Sequence, residues 1–218
     1  MKNLKIINVS HDQAYHLICE NLNHCKTMIP TIVGAKYHHN IPYNKVSNAI
    51  KYGLLSIEEL YKLEGKTLTP EQKIKYSREG GHINGVDEIS LASMDIDFNN
   101  LYRNERVFNP YSLYSADILI SDQIKAYRIT EHYANEYLTG NKILTEHFKA
   151  IDIRLLKYFK ERYSLTEIEE GVNNYNCLLE FVFTLVNEGL NIPIREMSEE
   201  GFALDKQKVL ELPKIQLK

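Results

Sequence analysis

The feature that most constrains this chain is a short apolar segment that runs into two adjacent histidines and is followed by an amphipathic helix. The apolar segment spans residues 31–37 and leads into His38 and His39. The helix is expected over 43–52, and Gly53 ends it. This order places an imidazole at the end of a strand, beside a helix N-terminus whose first N–H groups lack partners. Such a corner can bind an anionic or phosphate-bearing ligand.

Composition is that of an ordinary folded protein. Apolar residues make up 44% and charged residues 25% of the chain, and the formal net charge of −3 argues against a dedicated nucleic-acid coat. No apolar run is long enough to span a membrane, and the N-terminus lacks a signal-peptide pattern, so we expect a cytoplasmic protein with no membrane partner. The three cysteines form no Cys-x-x-Cys motif and the histidines outside the pair are scattered, so we expect no metal site.

Periodicity predicts an α+β fold in two regions. Residues 1–140 combine strands and helices, whereas residues 141–218 are expected to be mostly helical. The expected helices cover 11–26, 43–52, 56–63, 131–138, 143–162 and 166–189, with a further helix start at Thr69-Pro70. The expected strands cover 31–37, 86–91 and 116–120.

Polar residues in or near these strands are candidate site residues. Asp117 lies within an apolar strand, where a carboxylate is costly unless it is paired or belongs to a site. Ser90 follows a glycine-rich loop and would brace a ligand or cap a turn. Glu131 suits a helix N-terminus, and Glu136, one turn later, is expected to face solvent. Arg78 would bind a phosphate or serve as a surface charge.

Four short motifs occur in order within residues 31–130: Tyr37-His38-His39-Asn40, Gly53-Leu54-Leu55-Ser56, Ile89-Ser90-Leu91-Ala92-Ser93 and Ala116-Asp117-Ile118-Leu119-Ile120. In order and spacing they resemble the ADP-ribosyltransferase superfamily. The resemblance is to its histidine-type branch, which includes the DarT toxins that modify DNA and the RNA 2′-phosphotransferases. It implies a split β-sandwich that holds NAD as a substrate in the cleft between two small sheets, with an added C-terminal helical region.

The resemblance also implies roles for particular residues. His38 would hydrogen-bond the nicotinamide-side ribose, and the backbone at His38 and His39 would hold the carboxamide. One of Tyr43, Tyr52 and Tyr61 would stack on the nicotinamide. Asn40, Tyr52, Ser90 and Arg78 complete the expected NAD-binding set, and the polar segment 64–85 would lie near the pyrophosphate. A catalytic glutamate of the family stabilises the ribose as nicotinamide leaves.

Two positions depart from the family pattern. Asp117 stands where the catalytic glutamate is expected and is shorter by one methylene, about 1.5 Å of reach. Asn40 stands in place of a threonine. Three options follow: Asp117 is the catalytic acid, Glu131 supplies the carboxylate, or the chain binds NAD without efficient transfer.

The expected function is therefore that of a toxin-like, NAD-dependent ADP-ribosyltransferase, a glycosyltransferase that modifies an unidentified protein or nucleic-acid acceptor. The C-terminal region would recognise that target or an antitoxin-like partner. One alternative is a non-catalytic module that binds NAD or ADP-ribose on the same fold. The other is a helical protein-interaction protein, which requires His38, Ser90 and Asp117 to lie far apart.

Overall fold

The computed structural model describes residues 5–77, 79, 85–94, 115–128, 136–156, 164–197 and 201–218. Two parts of the sequence-based predictions lie outside these ranges. They are Arg78 and residues 131–135 of the helix expected over 131–138, which include Glu131. The described helices are α1 (His11–His24), α2 (Tyr43–Tyr52), α3 (Ile57–Leu63), α4 (Pro70–Lys75), α5 (Leu165–Asn187) and α6 (Lys206–Val209), with a 3₁₀ turn at Thr145–His147.

The described strands are short and are numbered in chain order. They are β1 (Ile6–Val9), β2 (Lys26–Thr27), β3 (Ala35–Pro42), β4 (Leu54–Leu55), β5 (Ile89–Ser93), β6 (Ser115–Ser121), β7 (Tyr127–Arg128), β8 (Glu136–Thr139), β9 (Lys142–Ile143), β10 (Phe148–Ile153), β11 (Ile194–Glu196), β12 (Phe202–Leu204) and β13 (Lys214–Leu217).

Nine of these strands form one mixed sheet, so the α+β class is confirmed. Their order across the sheet is β2-β12-β11-β10-β6-β3-β5-β8-β7, while β1 pairs with β13 and β4 with β9. Within the large sheet the pairs are antiparallel except β10 with β11, which is parallel. The centre of the sheet is β6, all of whose residues are buried.

The sheet has one apolar and one polar face in its central part, because side chains alternate along a strand. The apolar face carries buried isoleucines from three adjacent strands, and α2 and α5 pack in the same core: Ile118, Ile120, Ile151, Ile153 and Ile194. On the other face, Asp117 and Asp152 are directly paired across β6 and β10, and Asp152 is paired with Arg195 of β11. The polar face therefore concentrates charged side chains beside the core.

The sheet opens on one side of β3. This strand pairs with β6 along its whole length, from Ala35 to Pro42. Among the described residues, it pairs with β5 only through Tyr37–Ser93 and His38–Ala92. Along its opposite edge β5 pairs with β8 from Ile89 to Ala92, so within the described residues the backbone pairing of β5 is interrupted only toward β3. A gap therefore opens between β3 and β5 immediately after His38.

Local signals account for most of the helices. Ser10, Thr69 and Ser164 each begin a helix with a capping box, in which the hydroxyl accepts a backbone N–H and a side chain three residues on returns a bond. The expected helix over 43–52 is confirmed as α2, which Gly53 ends with a positive φ of 84°. Helix α5 confirms the expected helix over 166–189 to within two residues at each end.

Two helices expected from the sequence are wrong. Residues 148–153 of the helix expected over 143–162 form β10, because pairing with β6 and β11 overrides the apolar stripe that suggested a helix. Residues 136–138 of the helix expected over 131–138 belong to strand β8. The strand expected over 31–37 begins at Ala35 and runs on to Pro42, so the two histidines lie inside it and not at its end.

The domain boundary expected at residue 140 stays a prediction. Strands from both sides of it share the large sheet, since β6 pairs with β10. In the described residues after it, α5 and the short α6 occur together with five strands, β9 to β13. Among the described residues, no helix is both long and apolar enough to cross a membrane.

Gly53 is predicted to be essential for the turn from α2 into β4. A Cβ at this position would lie 2.3 Å from the carbonyl oxygen of Ile143, and its φ of 84° is strained for any other residue. We expect Gly53→Ala to lower the free energy of unfolding in urea by about 3 kcal/mol, from backbone strain and overpacking together. Gly140→Ala is the control, because a Cβ there meets nothing within 4 Å. Equal stability of the two variants would contradict this account of the turn.

Candidate functional site

A cavity of about 140 Å³ lies where the sheet opens between β3 and β5. Its described walls come from three strands: His38, His39 and Asn40 of β3, Ser90, Leu91 and Ala92 of β5, and Glu136 of β8. Four of the residues expected from the sequence to bind a cofactor therefore share one cavity, namely His38, His39, Asn40 and Ser90. Glu136 joins them from a segment that was expected to be helical.

The carboxylate of Glu136 is held at this cavity by Ser90. The Ser90 hydroxyl donates a hydrogen bond to Oε1 of Glu136, and the glutamate is only 9% exposed. The expectation that Glu136 faces solvent is therefore wrong. The segment carried a weak signal for a strand, because Tyr137 and Thr139 belong to residue types that are enriched in strands. Tyr137 packs on the opposite side, where its ring centroid lies 5.3 Å from that of Tyr37.

His39 links β3 to β5 across the gap. Its Nδ1 lies 2.8 Å from the carbonyl oxygen of Ser90, and a carbonyl only accepts, so Nδ1 carries the proton. Burial lowers the pKa of His39 below its ordinary value of 6.5, more than the hydrogen bond to Ser90 raises it. The ring is therefore neutral at neutral pH, with Nε2 as an acceptor.

Asp117 lies in a buried network beside the cavity. It is 0% exposed, and Nη1 of Arg154 donates to its Oδ2. Its Oδ1 accepts from Nδ2 of Asn40 at 2.9 Å and lies 3.3 Å from Nδ1 of His38. The Ser115 hydroxyl donates to Oδ1 of Asn40. Asp117 thus orients the two β3 side chains that reach the cavity, and it is not among the cavity's described lining residues.

A second ion pair lies on the same face of the sheet. Nε and Nη2 of Arg195 donate to the two carboxylate oxygens of Asp152, each at 2.7 Å. Burial raises the pKa of Asp152, although Arg195 acts in the opposite direction. A cavity of about 330 Å³ lies beside this pair and shares His38 as a wall with the first cavity. No sequence pattern predicts that these two residues pair, since they are 43 positions apart.

The tyrosines expected to stack on a ring lie in different surroundings. Tyr52 is 43% exposed and lines a groove of about 310 Å³ together with His39, Pro42 and Lys45. Tyr43 is buried against Phe181, and burial raises its pKa well above the usual range. Of these two tyrosines only Tyr52 is accessible to a ligand. The groove also contains the start of α2, where Pro42 provides no side-chain cap for the first N–H groups.

Comparison of the chain with protein-family models, with curated proteins and with solved structures finds no match. Function is therefore inferred from the residues and geometry of the site itself.

Breaking the Asp117–Arg154 ion pair is predicted to destabilise the folded chain. Asp117→Asn leaves the buried guanidinium of Arg154 without its counter-charge, and we expect the free energy of unfolding to fall by about 3 kcal/mol. Adding Arg154→Met should recover part of this loss, since the uncompensated charge is then removed. Asp87→Asn, at an exposed carboxylate, is the control for urea unfolding. A double variant less stable than Asp117→Asn alone would contradict the pairing argument.

His39 is predicted to make stability depend on pH below neutrality. Its folded pKa is lowered, so the unfolded chain takes up a proton near pH 6.5 that the folded chain does not. The contribution of His39 to the free energy of unfolding is fully present above pH 6.5. It decreases as the pH falls, by at most about 1.4 kcal/mol per pH unit. The stability gap between the native chain and His39→Gln should therefore narrow from pH 7.5 to pH 5.5 in urea titrations. A gap that widens over this range would show that the folded state favours the charged ring.

Proposed function

We propose that this chain is an NAD-dependent ADP-ribosyltransferase whose catalytic carboxylate is Glu136. The observation that carries the proposal is the meeting of His38, Ser90 and Glu136 at one cavity, where the sheet opens. The motifs that resemble the superfamily supplied the first two residues. The opening between β3 and β5 also supports the finer fold proposal, a split β-sandwich of ADP-ribosyltransferase type.

The chemistry requires a fixed negative charge beside the ribose. Breaking the bond between nicotinamide and C1′ sends the electron pair to nicotinamide, which leaves neutral, and positive charge develops on the sugar. The acceptor nucleophile then bonds to C1′ and loses its proton. A carboxylate about 4 Å from the developing charge contributes about 4 kcal/mol at an effective dielectric constant of about 20. Because this charge is present only in the transition state, the interaction increases the rate more than the affinity.

Glu136 suits this role better than Asp117. Ser90 holds one oxygen of Glu136 at the cavity wall. The carboxylate of Asp117, by contrast, is fully buried and already neutralised by Arg154, so it would add little field at a ligand. Glu131 lies outside the described residues and stays a prediction.

The remaining polar groups would bind NAD around this carboxylate. His38 is oriented through Asp117 and would contact the nicotinamide-side ribose, while the backbone at His38 and His39 would hold the carboxamide. The groove that shares His39 with the cavity would receive further parts of the dinucleotide. There, Tyr52 offers a ring for stacking, and Lys45 and the uncapped start of α2 suit a phosphate.

The acceptor, a protein or a nucleic acid, is left open by this proposal. An antitoxin-like partner, the toxin-like role and a cytoplasmic location are likewise retained as proposals. A helical interaction protein is disfavoured, because His38 and Ser90 line one cavity and Nδ1 of His38 lies 3.3 Å from Asp117. A non-catalytic NAD-binding module is the second candidate, and turnover distinguishes it from the enzyme.

Replacement of Glu136 by glutamine is predicted to abolish turnover while binding persists. Glutamine keeps the size of the side chain and an acceptor for Ser90 but removes the charge. We expect nicotinamide release from NAD to fall by about 100- to 1,000-fold, with the Kd for NAD changed by about threefold or less. Release would be followed by chromatography and binding by calorimetry, with water or a mixture of nucleic acids and proteins as acceptor.

Glu146→Gln is the matched control, because that glutamate is exposed on the surface. Asp117→Asn, corrected for its folded fraction, should retain more turnover than Glu136→Gln. Unchanged release in Glu136→Gln would contradict the assigned carboxylate. Saturable NAD binding without release in the native chain would favour the binding module, and no binding at all would overturn the NAD proposal.

A further inference from the structure

We propose that the cavity beside Asp152 and Arg195 is a second binding site, which takes the hydrogen-bonding edge of an uncharged heterocyclic base. Its described walls include Met94, Leu119 and Met197 together with this ion pair. The assignment depends on these residues and not on the proposed transfer reaction. This second site can therefore be tested independently of the catalytic role proposed for Glu136.

The ion pair presents a donor and an acceptor side by side. Arg195 uses Nε and Nη2 for Asp152, and within the described part of the chain its Nη1 has no hydrogen-bond partner. Each oxygen of Asp152 accepts one of these bonds and retains a second lone pair. Both side chains are largely buried, at 12% and 5% exposed, so the pair is held in one geometry. A ligand that offers an acceptor next to an N–H would match it.

The charges around this cavity favour an uncharged ligand over an anion. Arg195 is neutralised by Asp152, and Arg154, also at the cavity, is neutralised by Asp117. An anion close to a guanidinium gains Coulombic energy that falls with distance. A carboxylate at a similar distance costs the same amount, so the two contributions to the binding of a phosphate cancel. Hydrogen bonds to a dipolar group do not cancel in this way.

The other walls suit a flat ring. Thioethers are polarizable and make favourable contacts with aromatic rings, and Met94 and Met197 both line the cavity together with Leu119. The volume of about 330 Å³ is at the lower end for small-molecule sites, which span about 300–1,000 Å³. It accommodates a single base and not a whole dinucleotide.

A nucleobase has this combination of properties. It is flat, and its edge carries an N–H donor next to a carbonyl or ring-nitrogen acceptor. Proteins that bind an unstacked base use hydrogen bonds to this edge and stacking against apolar side chains. The base could come from the adenosine part of NAD or from a separate nucleoside or nucleic acid, and the two sources are separated by the ligands chosen for the test.

The four methionines of the chain provide a direct readout. In protein labelled with ¹³C at the methionine methyl groups, we expect nucleosides to shift the signals of Met94 and Met197. The signal of Met28, which is 88% exposed, should not move and serves as an internal control. Adenosine and ADP-ribose test the base of NAD, and thymidine, uridine, cytidine and guanosine test a separate base. Inorganic phosphate tests the anion alternative.

Three variants test whether the methionine shifts arise from binding at the Asp152–Arg195 pair and the cavity walls. Arg195→Lys retains the positive charge but lacks the planar guanidinium with its several N–H donors, and we expect nucleoside affinity to fall at least tenfold. Met197→Ala removes one wall without touching the ion pair, so it tests the site even if Arg195→Lys does not fold. Arg128→Lys, at an exposed arginine on the opposite edge of the sheet, should bind as the native chain does. Shifts of Met94 and Met197 with phosphate alone, or with none of the ligands, would overturn the proposal.

Discussion

The buried carboxylate of Asp117 is the contact on which the polar side of this sheet depends. It accepts a hydrogen bond from Asn40 of β3, lies beside Nδ1 of His38, and is neutralised by Arg154, which follows β10. Three adjacent strands are therefore joined through one side chain at the point where the sheet opens. Burial of such a pair contributes little net stability, whereas loss of either partner is costly. The network is better explained by the orientation that it gives to His38 and Asn40.

Because β3 is only partly paired with β5, the oriented side chains of His38 and Asn40 lie beside an opening in which a ligand can bind. Because β3 leaves β5 after His38, a cavity opens whose described walls come from three strands, β3, β5 and β8. His39 spans the opening through Ser90, whose hydroxyl holds Glu136 on the next strand. The result is a fixed carboxylate next to a neutral imidazole in a partly buried space. An arrangement of this kind can stabilise a developing cation, which is why we favour glycosyl transfer from NAD.

Residue patterns predicted the parts of this molecule that local interactions determine. Capping residues and periodicity predicted most of the helices. The short polar motifs identified four residues that line the cavity, namely His38, His39, Asn40 and Ser90. Pairing between distant strands could not be predicted in the same way. The apolar spacing of 148–153 suits a helix as well as a strand, and only its neighbours β6 and β11 decide. Glu136 was missed for the same reason, since its segment was expected to be helical, and Asp152 and Arg195 meet only across the folded sheet.

The most direct test of the central claim is a crystal structure of the Glu136→Gln variant soaked with NAD, in which the slow reaction preserves the substrate. The account predicts that the nicotinamide-side ribose lies in the cavity between β3 and β5. Its hydroxyl groups should lie within about 2.6–3.2 Å of the residue 136 side chain and of His38. NAD bound elsewhere on the molecule, or with its ribose beyond the reach of residue 136, would contradict the assignment of Glu136 as the catalytic carboxylate.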